Sequence, residues 1–442
     1  TAQFNNTGTY DVNLDGSCFT GEAGLFDNDG TFTRSGGSGT LIIDCDFTND
    51  GTINHNSGTV LDFDSPPFIQ NGALNLQGTE VLETTTTTVN STFTLANGQL
   101  WDMNGTVTMN IAFNTPAVID LASSLKGSGS LTVTNSMTWN SGTFPNLDAT
   151  LTINNGAILN IGGSGTYNIN TTLNLNGTTN HTDGTIRLNH NNSLINNGGT
   201  YNMTGGTFSF TNSNSQFNNT GTFDVNFDAQ LDGSTGTFDN DGTFTRSNST
   251  GTLTIDMDLI NDGIFQQTSN GTIVFGTGDS FSNNNQFKGI GTINFTSTFT
   301  QSGTVAPGNS PGILSLNEFD NSSGSLNIEM QGSTTAGTDY DQLQVSSAVT
   351  LGGILNISFL NNYEPSISDE FVIMTCSGGC SGSFSSINHP GNNPNAWTID
   401  LTTPNQVILR FVQGLPVELA DFQALVKSDF VLLEWKTSSE QN

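Results

Sequence analysis

Apolar and polar residues alternate along most of the chain, and this alternation predicts short β-strands. In the segment TLIIDCDF, which starts at Thr40, nearly every second residue is strongly apolar. Successive side chains of a strand point to opposite faces, so one parity forms the core and the other the surface. The residues predicted to point inward are Leu41, Ile43, Cys45 and Phe47 and, in a similar segment, Leu253, Ile255, Met257 and Leu259. We find no helical period and predict an all-β protein.

A short motif, apolar-x-Asn-x-Gly-[Thr/Ala]-apolar, recurs about every 21 to 22 residues, a period typical of solenoids. Examples are FNNTGTY from Phe4, FDNDGTF from Phe26, FTNDGTI from Phe47, FNNTGTF from Phe217 and FDNDGTF from Phe238. A coil of this length holds three short strands and three turns, which predicts a right-handed parallel β-helix. We expect the motif glycine to supply left-handed backbone at a corner and the asparagines to hydrogen-bond along a ladder.

A longer repeat lies over the short one, because residues 4–63 reappear almost residue for residue as 217–275. Duplication of a whole block is easy in a solenoid, where each coil contacts only its neighbours. The Asn-Gly rhythm fades after Val305. We therefore predict a repeat region at residues 1–305 and a β-rich capping region at 306–412.

The composition excludes several classes of function. The chain has 442 residues with 8 Lys+Arg against 39 Asp+Glu, for a net charge of -31. Neutralising phosphates requires clustered cations, so nucleic-acid binding is excluded. No apolar run of about 18 residues is present, and we expect no direct membrane insertion.

The capping region carries a family resemblance. It contains APGNSPG from Ala306, TDYDQLQV from Thr338 and GGILNISF from Gly352, and it resembles the carboxyl-terminal part of autotransporter-type secreted β-helix passengers. The resemblance implies closing coils of a right-handed parallel β-helix and an extracellular or bacterial cell-surface location.

The last segment, LPVELADFQALVKSDFVLLEWKTSSEQN, resembles the opening of the Ig-like domain that follows passenger regions in type IX secretion substrates. The resemblance implies that residues 413–442 are the truncated start of such a domain. Both chain ends fall inside patterned sequence, so we expect a segment of a longer protein. The matching residues are Leu415, Pro416, Val417, Glu418, Leu419, Phe422, Leu433, Trp435, Thr437, Ser439 and Glu440.

The four cysteines form two pairs in sequence. Cys376 and Cys380 stand four apart across a Gly-Gly turn, and we predict a disulfide between them. Cys18 and Cys45 fall on the inward parity, where the second block has Leu231 and Met257. Buried free thiols are therefore favoured there, and a disulfide remains the alternative.

Acidic pairs recur with the solenoid, which indicates solvated rows of carboxylates on the outer surface. The alternative is a calcium site, because oxygen ligands from turns of adjacent coils suit this ion. The candidate ligands are Asp27, Asp29, Asp44, Asp46, Asp239, Asp241, Asp256 and Asp258. We expect no other cofactor.

We predict no catalytic residues. A glycosidase needs one carboxylate pair in one cleft, whereas these pairs repeat and the four tryptophans are scattered. Arg34 and Arg246 are equivalent copies of a TFTR motif and are expected to be structural. The four histidines are expected in solvated loops.

The favoured function is a non-catalytic adhesive or structural surface protein, a stiff stalk or fibre segment that binds a protein or glycan ligand or sister chains. The alternatives are a carbohydrate-binding or polysaccharide-degrading β-helix and, because of the outward threonines, an ice-binding solenoid.

Overall fold

The computed structural model describes residues 2–19, 24–64, 67–77, 81–141, 145–296, 298–391, 396–412 and 419–437. These residues form strands, turns and loops, and none of them is in a helix. The chain divides into two compact units, residues 1–304 and 305–442. The fold is a parallel β-solenoid of about 15 turns with a C-terminal β-rich region, as the period and the alternation predicted.

The coils of the first unit have three sides, here named faces A, B and C in the order in which the chain visits them. Face A contains β1 (Ala2–Asn6), β4 (Gly24–Asn28), β7 (Asp46–Asn49), β10 (Phe68–Gln70), β13 (Thr87–Val89), β15 (Val107–Met109), β18 (Leu125–Lys126), β21 (Asn146–Leu147), β24 (Thr166–Ile169), β27 (Thr185–Leu188), β30 (Thr207–Phe210), β37 (Thr272–Phe275) and β40 (Gly291–Phe295). Neighbouring strands of the face pair in parallel.

Face B contains β2 (Thr9–Val12), β5 (Thr31–Arg34), β8 (Thr52–His55), β11 (Ala73–Leu76), β16 (Ala112–Thr115), β19 (Ser130–Val133), β22 (Thr150–Ile153), β25 (Thr172–Leu175), β28 (Leu194–Asn197), β31 (Gln216–Asn219), β38 (Ser280–Asn283) and β41 (Thr298–Gln301). Two long strands, β33 (Gln230–Asn240) and β35 (Thr252–Asn261), turn the corner from face A to face B within one element.

Face C is a continuous column of parallel strands. Its strands are β3 (Gly16–Cys18), β6 (Thr40–Ile43), β9 (Val60–Phe63), β12 (Val81–Thr84), β14 (Leu100–Met103), β17 (Val118–Leu121), β20 (Ser136–Asn140), β23 (Ile158–Gly162), β26 (Thr178–His181), β29 (Thr200–Met203), β32 (Thr222–Val225), β34 (Thr243–Arg246), β36 (Ile264–Gln267) and β39 (Gln286–Gly289).

The interior follows the predicted parity. All eight residues predicted to point inward in the two sample segments are buried, and the residues between them are exposed or half-buried. Equivalent positions of successive coils stack, so that the rings of Phe26 and Phe47 lie 4.9 Å apart and nearly parallel. Phe217 and Phe238 repeat this arrangement at 4.7 Å. Burial of these columns is the main stabilisation of the fold.

Asparagine side chains form the predicted ladders. In the first block, Nδ2 of Asn6 donates to Oδ1 of Asn28 at 2.7 Å, and Asn28 donates in the same way to Asn49. A second ladder runs from Asn197 to Gln301, with donor–acceptor distances of 2.6–2.7 Å. Each rung is buried and bonded to its neighbours, except that Oδ1 of Asn197, at the start of the second ladder, has no partner among the described residues. The ladders link adjacent coils through their interior corner.

The left-handed backbone predicted for the motif glycines is found at Gly156 of the repeat INNGAI, where φ is 82°, but the prediction was wrong for most other repeats. Gly30, Gly51 and Gly72 are not among the residues with positive φ. They are required for close approach, because a Cβ on Gly51 would lie 2.0 Å from the carbonyl oxygen of Gly30 in the coil below. The glycine column therefore lets successive backbones stack at the corner rather than changing the handedness of the turn.

The second unit continues with parallel pairs and then becomes antiparallel. After β42 (Thr304–Pro307), which spans the boundary, its strands are β43 (Ile313–Leu316), β44 (Ser325–Met330), β45 (Gln342–Val345), β46 (Val349–Leu351), β47 (Ile354–Phe359), β48 (Glu370–Cys376), β49 (Cys380–Gly382), β50 (Ser386–Asn388), β51 (Trp397–Asp400), β52 (Gln406–Phe411), β53 (Leu419–Val426) and β54 (Val431–Thr437). The pairs β43–β45, β44–β47 and β46–β49 are parallel, whereas β52 pairs antiparallel with β48 and β51.

The segment with the Ig-like resemblance forms an antiparallel hairpin, β53 with β54, in which Phe422 lies opposite Trp435. Leu433 and Thr437 also lie on this hairpin. Six of the matching residues lie outside the described residues: Leu415, Pro416, Val417, Glu418, Ser439 and Glu440.

Candidate functional site

The structure brings four of the eight candidate calcium ligands into two similar clusters. Asp27 and Asp29 are joined by Asp50 from the next coil, and the carboxylate oxygens of the three residues lie within 4.8 Å of one another. The second block repeats the cluster with Asp239, Asp241 and Asp262. We name these the first and second aspartate trios.

The sequence pattern missed the third member of each trio. Asp50 and Asp262 occupy the same motif position as Asp29 and Asp241, one coil further along, and a search across coils finds them. The other candidates, Asp44, Asp46, Asp256 and Asp258, are not in either trio.

One carboxylate in each trio is distinguished by its surroundings. Oδ1 of Asp27 and Oδ1 of Asp239 are buried and have no hydrogen-bond partner within the described part of the chain. Burial is the largest cause that raises the pKa of each carboxyl, and the neighbouring aspartates raise it further. A cation would satisfy the orphaned oxygen and offset the repulsion, so the residues fit an oxygen-ligated ion such as calcium.

A longer acidic column crosses face C and was not anticipated. Asp62, Glu83, Asp102 and Asp120 lie directly opposite one another in four successive strands. Burial, followed by repulsion from Glu83, raises the pKa of Asp62 to about 6. Burial also raises the pKa of the other three carboxyls. Like charges in register destabilise a sheet, so this column lowers the stability of face C locally.

The two TFTR arginines are buried, as their structural role requires. Nη2 of Arg34 bonds Oδ1 of Asp15 at 2.6 Å, and Nη2 of Arg246 bonds Oδ1 of Asp228 at 2.8 Å. Both arginines have no exposed side-chain surface, while the aspartates are about half exposed. Asp15 lies in the loop between faces B and C, and Asp228 lies in the loop between faces C and A. Each ion pair joins its loop to the arginine of the next coil.

The prediction for the histidines was wrong at two positions. His55 and His181 are buried, and each is the last residue of its strand at an inward-facing position. His55 Nε2 lies 3.0 Å from Nη1 of Arg34, and His181 Nδ1 lies 3.0 Å from the hydroxyl of Tyr201. Burial lowers the pKa of His181 to about 4, so this side chain is neutral inside the core at neutral pH. The inward parity of both residues was visible in their strands.

The cysteines divide as two pairs of different kinds. A disulfide joins Cys376 to Cys380, with 5.5 Å between their Cα atoms. Cys18 and Cys45 are free thiols, so the alternative of a disulfide between them is not formed. Burial raises the pKa of both free thiols to about 11, which keeps them protonated and unreactive.

The structure explains two sequence motifs of the second unit. The buried carboxylate of Asp341, in the DYDQL segment, accepts hydrogen bonds from the backbone N–H groups of Gly312 and Glu329, each at 2.8 Å. Gly312 ends the PGNSPG turn. The aspartate therefore holds the turn against strand β44, and burial raises its pKa to about 7.

No protein-family model matches the chain, and no curated protein matches it at a significant level. Within the described ranges there is no helix with the length and apolarity that crossing a membrane requires.

Proposed function

We propose that the chain is a structural and adhesive element of a bacterial cell surface, a stiff solenoid stalk that presents ligand-binding surfaces away from the cell. The observation that supports this most is the pair of buried asparagine ladders. Every rung bonds the next coil, so bending at this corner requires breaking buried hydrogen bonds. A spacer needs this property.

The repetition of the acidic sites also favours a non-catalytic role. The two aspartate trios are copies made by block duplication, whereas a hydrolase needs one cleft with its own pair of carboxylates. Trp101 and Trp139 are fully buried in the solenoid and cannot serve as platforms for a sugar on its surface.

Ice binding remains a weaker proposal. Outward threonines stack in short columns, such as Thr9, Thr31 and Thr52, but Ala73 follows in the next coil. A second column, Thr178, Thr200, Thr222 and Thr243, is followed by Ile264. Absence of thermal hysteresis would remove this alternative.

We further propose that calcium binds the aspartate trios and stabilises the corners at which they lie. The orphaned oxygens of Asp27 and Asp239 support this. The ion would supply charge neutralisation between carboxylates of successive coils and take no part in chemistry.

A bead assay tests the adhesive role. Beads coated with the full chain should resist detachment by flow from surfaces bearing matrix proteins or glycans, compared with albumin-coated beads. Equal detachment of both kinds of bead would contradict adhesion. The same protein should release no reducing sugar from a polysaccharide panel, and turnover of any member would overturn the non-catalytic proposal.

A further inference from the structure

The second unit contains an open cleft lined by aromatic rings. Phe359 at the end of β47, Trp397 at the start of β51 and Phe411 at the end of β52 contribute to its wall. The ring centres of Trp397 and Phe411 are 5.0 Å apart, and those of Trp397 and Phe359 are 6.3 Å apart. The cleft has a volume of about 550 Å³, which lies within the range of small-molecule sites.

Polar groups lie beside these rings. Glu364, Ser366 and His389 line the same cleft, and the first two are exposed. Ile367, also in the lining, has 63% of its surface exposed. An apolar wall with a few polar groups is the usual construction of a binding site for a small amphipathic molecule.

One donor in the cleft lining has no partner. Trp397 is 5% exposed, and its Nε1–H has no hydrogen-bond acceptor in the part of the chain that the structure describes. A buried tryptophan N–H usually finds an acceptor. This N–H is itself buried, so a ligand that displaces the groups covering this edge and brings an acceptor oxygen to it would gain a hydrogen bond that the protein itself does not make.

We propose that this cleft binds a sugar ring of a neutral saccharide. The inference rests on the proposed adhesive function and specifies one ligand surface for it. A pyranose ring presents C–H groups that pack on the aromatic wall, and its hydroxyl groups both accept and donate. One such ligand can accept from Trp397 Nε1 and donate to the carboxylate of Glu364.

Other ligand classes satisfy fewer of these groups. The net charge of -31 and the carboxylate of Glu364 disfavour an anionic polysaccharide. A quaternary ammonium ion such as tetramethylammonium suits the rings and the carboxylate but has no oxygen to accept from Trp397. A proline-rich peptide offers carbonyl acceptors, yet its prolines have no N–H to donate to Glu364.

Calorimetric titration of the full chain tests the proposal. The probes are cellotetraose, mannotetraose and chitotetraose, with polygalacturonate, tetramethylammonium and decaproline as competitors of other classes. At least one neutral tetrasaccharide should bind saturably, and the three competitors should bind more weakly or not at all. Failure of all neutral probes at millimolar concentration, or preferential binding of tetramethylammonium or decaproline, would overturn the assignment.

Variants locate the binding. Trp397→Phe keeps an aromatic ring, although a smaller one, and removes the N–H, and it should weaken saccharide binding about five- to tenfold. Trp435→Phe, on the exposed hairpin, is the matched control and should bind like the unaltered chain. If Trp397→Phe lowers the urea midpoint, the exposed variant Glu364→Ala decides the matter, with an expected loss of about threefold or more. Unchanged affinity in both variants would refute the cleft as the site.

The bead assay separates this inference from the proposed function. Beads that still adhere while no neutral saccharide binds would refute the cleft but leave adhesion standing. Saccharide binding without bead adhesion would refute adhesion and leave the cleft as a binding site.

Discussion

The two copies of the repeated block have nearly the same sequence, yet they lie on different faces of the solenoid. The motif QFNN forms β1 on face A in the first block and β31 on face B in the second. The next strand, TYDV or TFDV, lies on face B in the first block and face C in the second. The second copy is therefore rotated by one side of the coil relative to the first. Asparagine ladders nevertheless form in both copies.

This difference shows that the residues of a block determine its corner geometry, whichever side of the solenoid axis the block occupies. Each coil contacts only its neighbours, so a rotated block folds as well as an unrotated one when the coils before it end at the right point. The aspartate trios and the buried arginines were consequently copied to a different side of the molecule.

The buried arginines differ most between the blocks. Arg34 bonds Asp15 and the carbonyl oxygens of Gly36, Gly39 and Val60, and it contacts a histidine. Arg246 bonds Asp228 and two carbonyl oxygens, and its Nε is buried without a partner in the described structure.

The largest expected effect follows from this contrast. Arg34→Met should lower the free energy of unfolding by about 3 kcal/mol or more, because it leaves several buried acceptors unsatisfied. Arg246→Met should cost about 1–2 kcal/mol, because fewer bonds are lost and an orphaned donor is removed. Urea unfolding with hydrogen exchange at β5 and β34 measures both. Equal losses would show that the two sites are energetically the same.

The two asparagine ladders should lose similar amounts of stability when one rung is removed. Asn28→Ala and Asn240→Ala each remove a buried rung and leave a neighbour unpaired, at a cost of about 2 kcal/mol. The two values should agree within about 0.5 kcal/mol, although the ladders lie at different corners. Asn75→Ala, on the exposed side of face B, is the control and should change stability by less than about 0.5 kcal/mol. A large difference between the two rungs would show that the face matters.

The two blocks also differ at a surface position in the acidic column. Asp62 belongs to the first block, and its equivalent in the second is Val274. The pKa of Asp62 is raised to about 6 in the folded state, so the folded protein binds more protons than the unfolded chain between about pH 4 and pH 6. Stability contributed by this group is therefore lost as pH rises through that window.

Asp62→Val should accordingly stabilise the protein by up to about 1 kcal/mol at pH 8 and by less at pH 4. Urea midpoints at the two pH values measure this. A variant that is less stable at pH 8 than the unaltered chain would contradict the proposed repulsion.

The smallest effect concerns calcium. Millimolar calcium should raise stability by about 0.5–1 kcal/mol through the two trios, and a chelator should reverse the gain. Asp50→Asn and Asp262→Asn should each remove about half of it. A melting temperature that calcium and chelator leave unchanged would end the calcium proposal for both blocks.

Local patterns in the sequence predicted the fold well. The parity of residues 40–47 identified the core because a half-buried strand alternates, and the period identified the solenoid because each coil must return to the same corner. The same patterns failed at the motif glycines, since the constraint on Gly51 comes from the backbone of the coil below. They failed at His55 and His181 because Asn-rich composition suggested loops.

The candidate sites were predictable only in part. Paired aspartates were visible within a motif, but Asp50 joins Asp27 and Asp29 across coils. The cleft was not visible at all, because Phe359, Trp397 and Phe411 are distant in sequence and belong to three strands. Their convergence depends on the antiparallel end of the second unit.

The sequence by itself determined that the chain is a β-solenoid, which residues of each strand are buried, and that one block was duplicated. These properties repeat every coil and depend on interactions within a strand or between adjacent coils. The tertiary structure alone decided which face each copy occupies, which carboxylates meet, and where the aromatic cleft opens. Those properties depend on the accumulated length of all preceding coils and on contacts between distant strands, which no local pattern records.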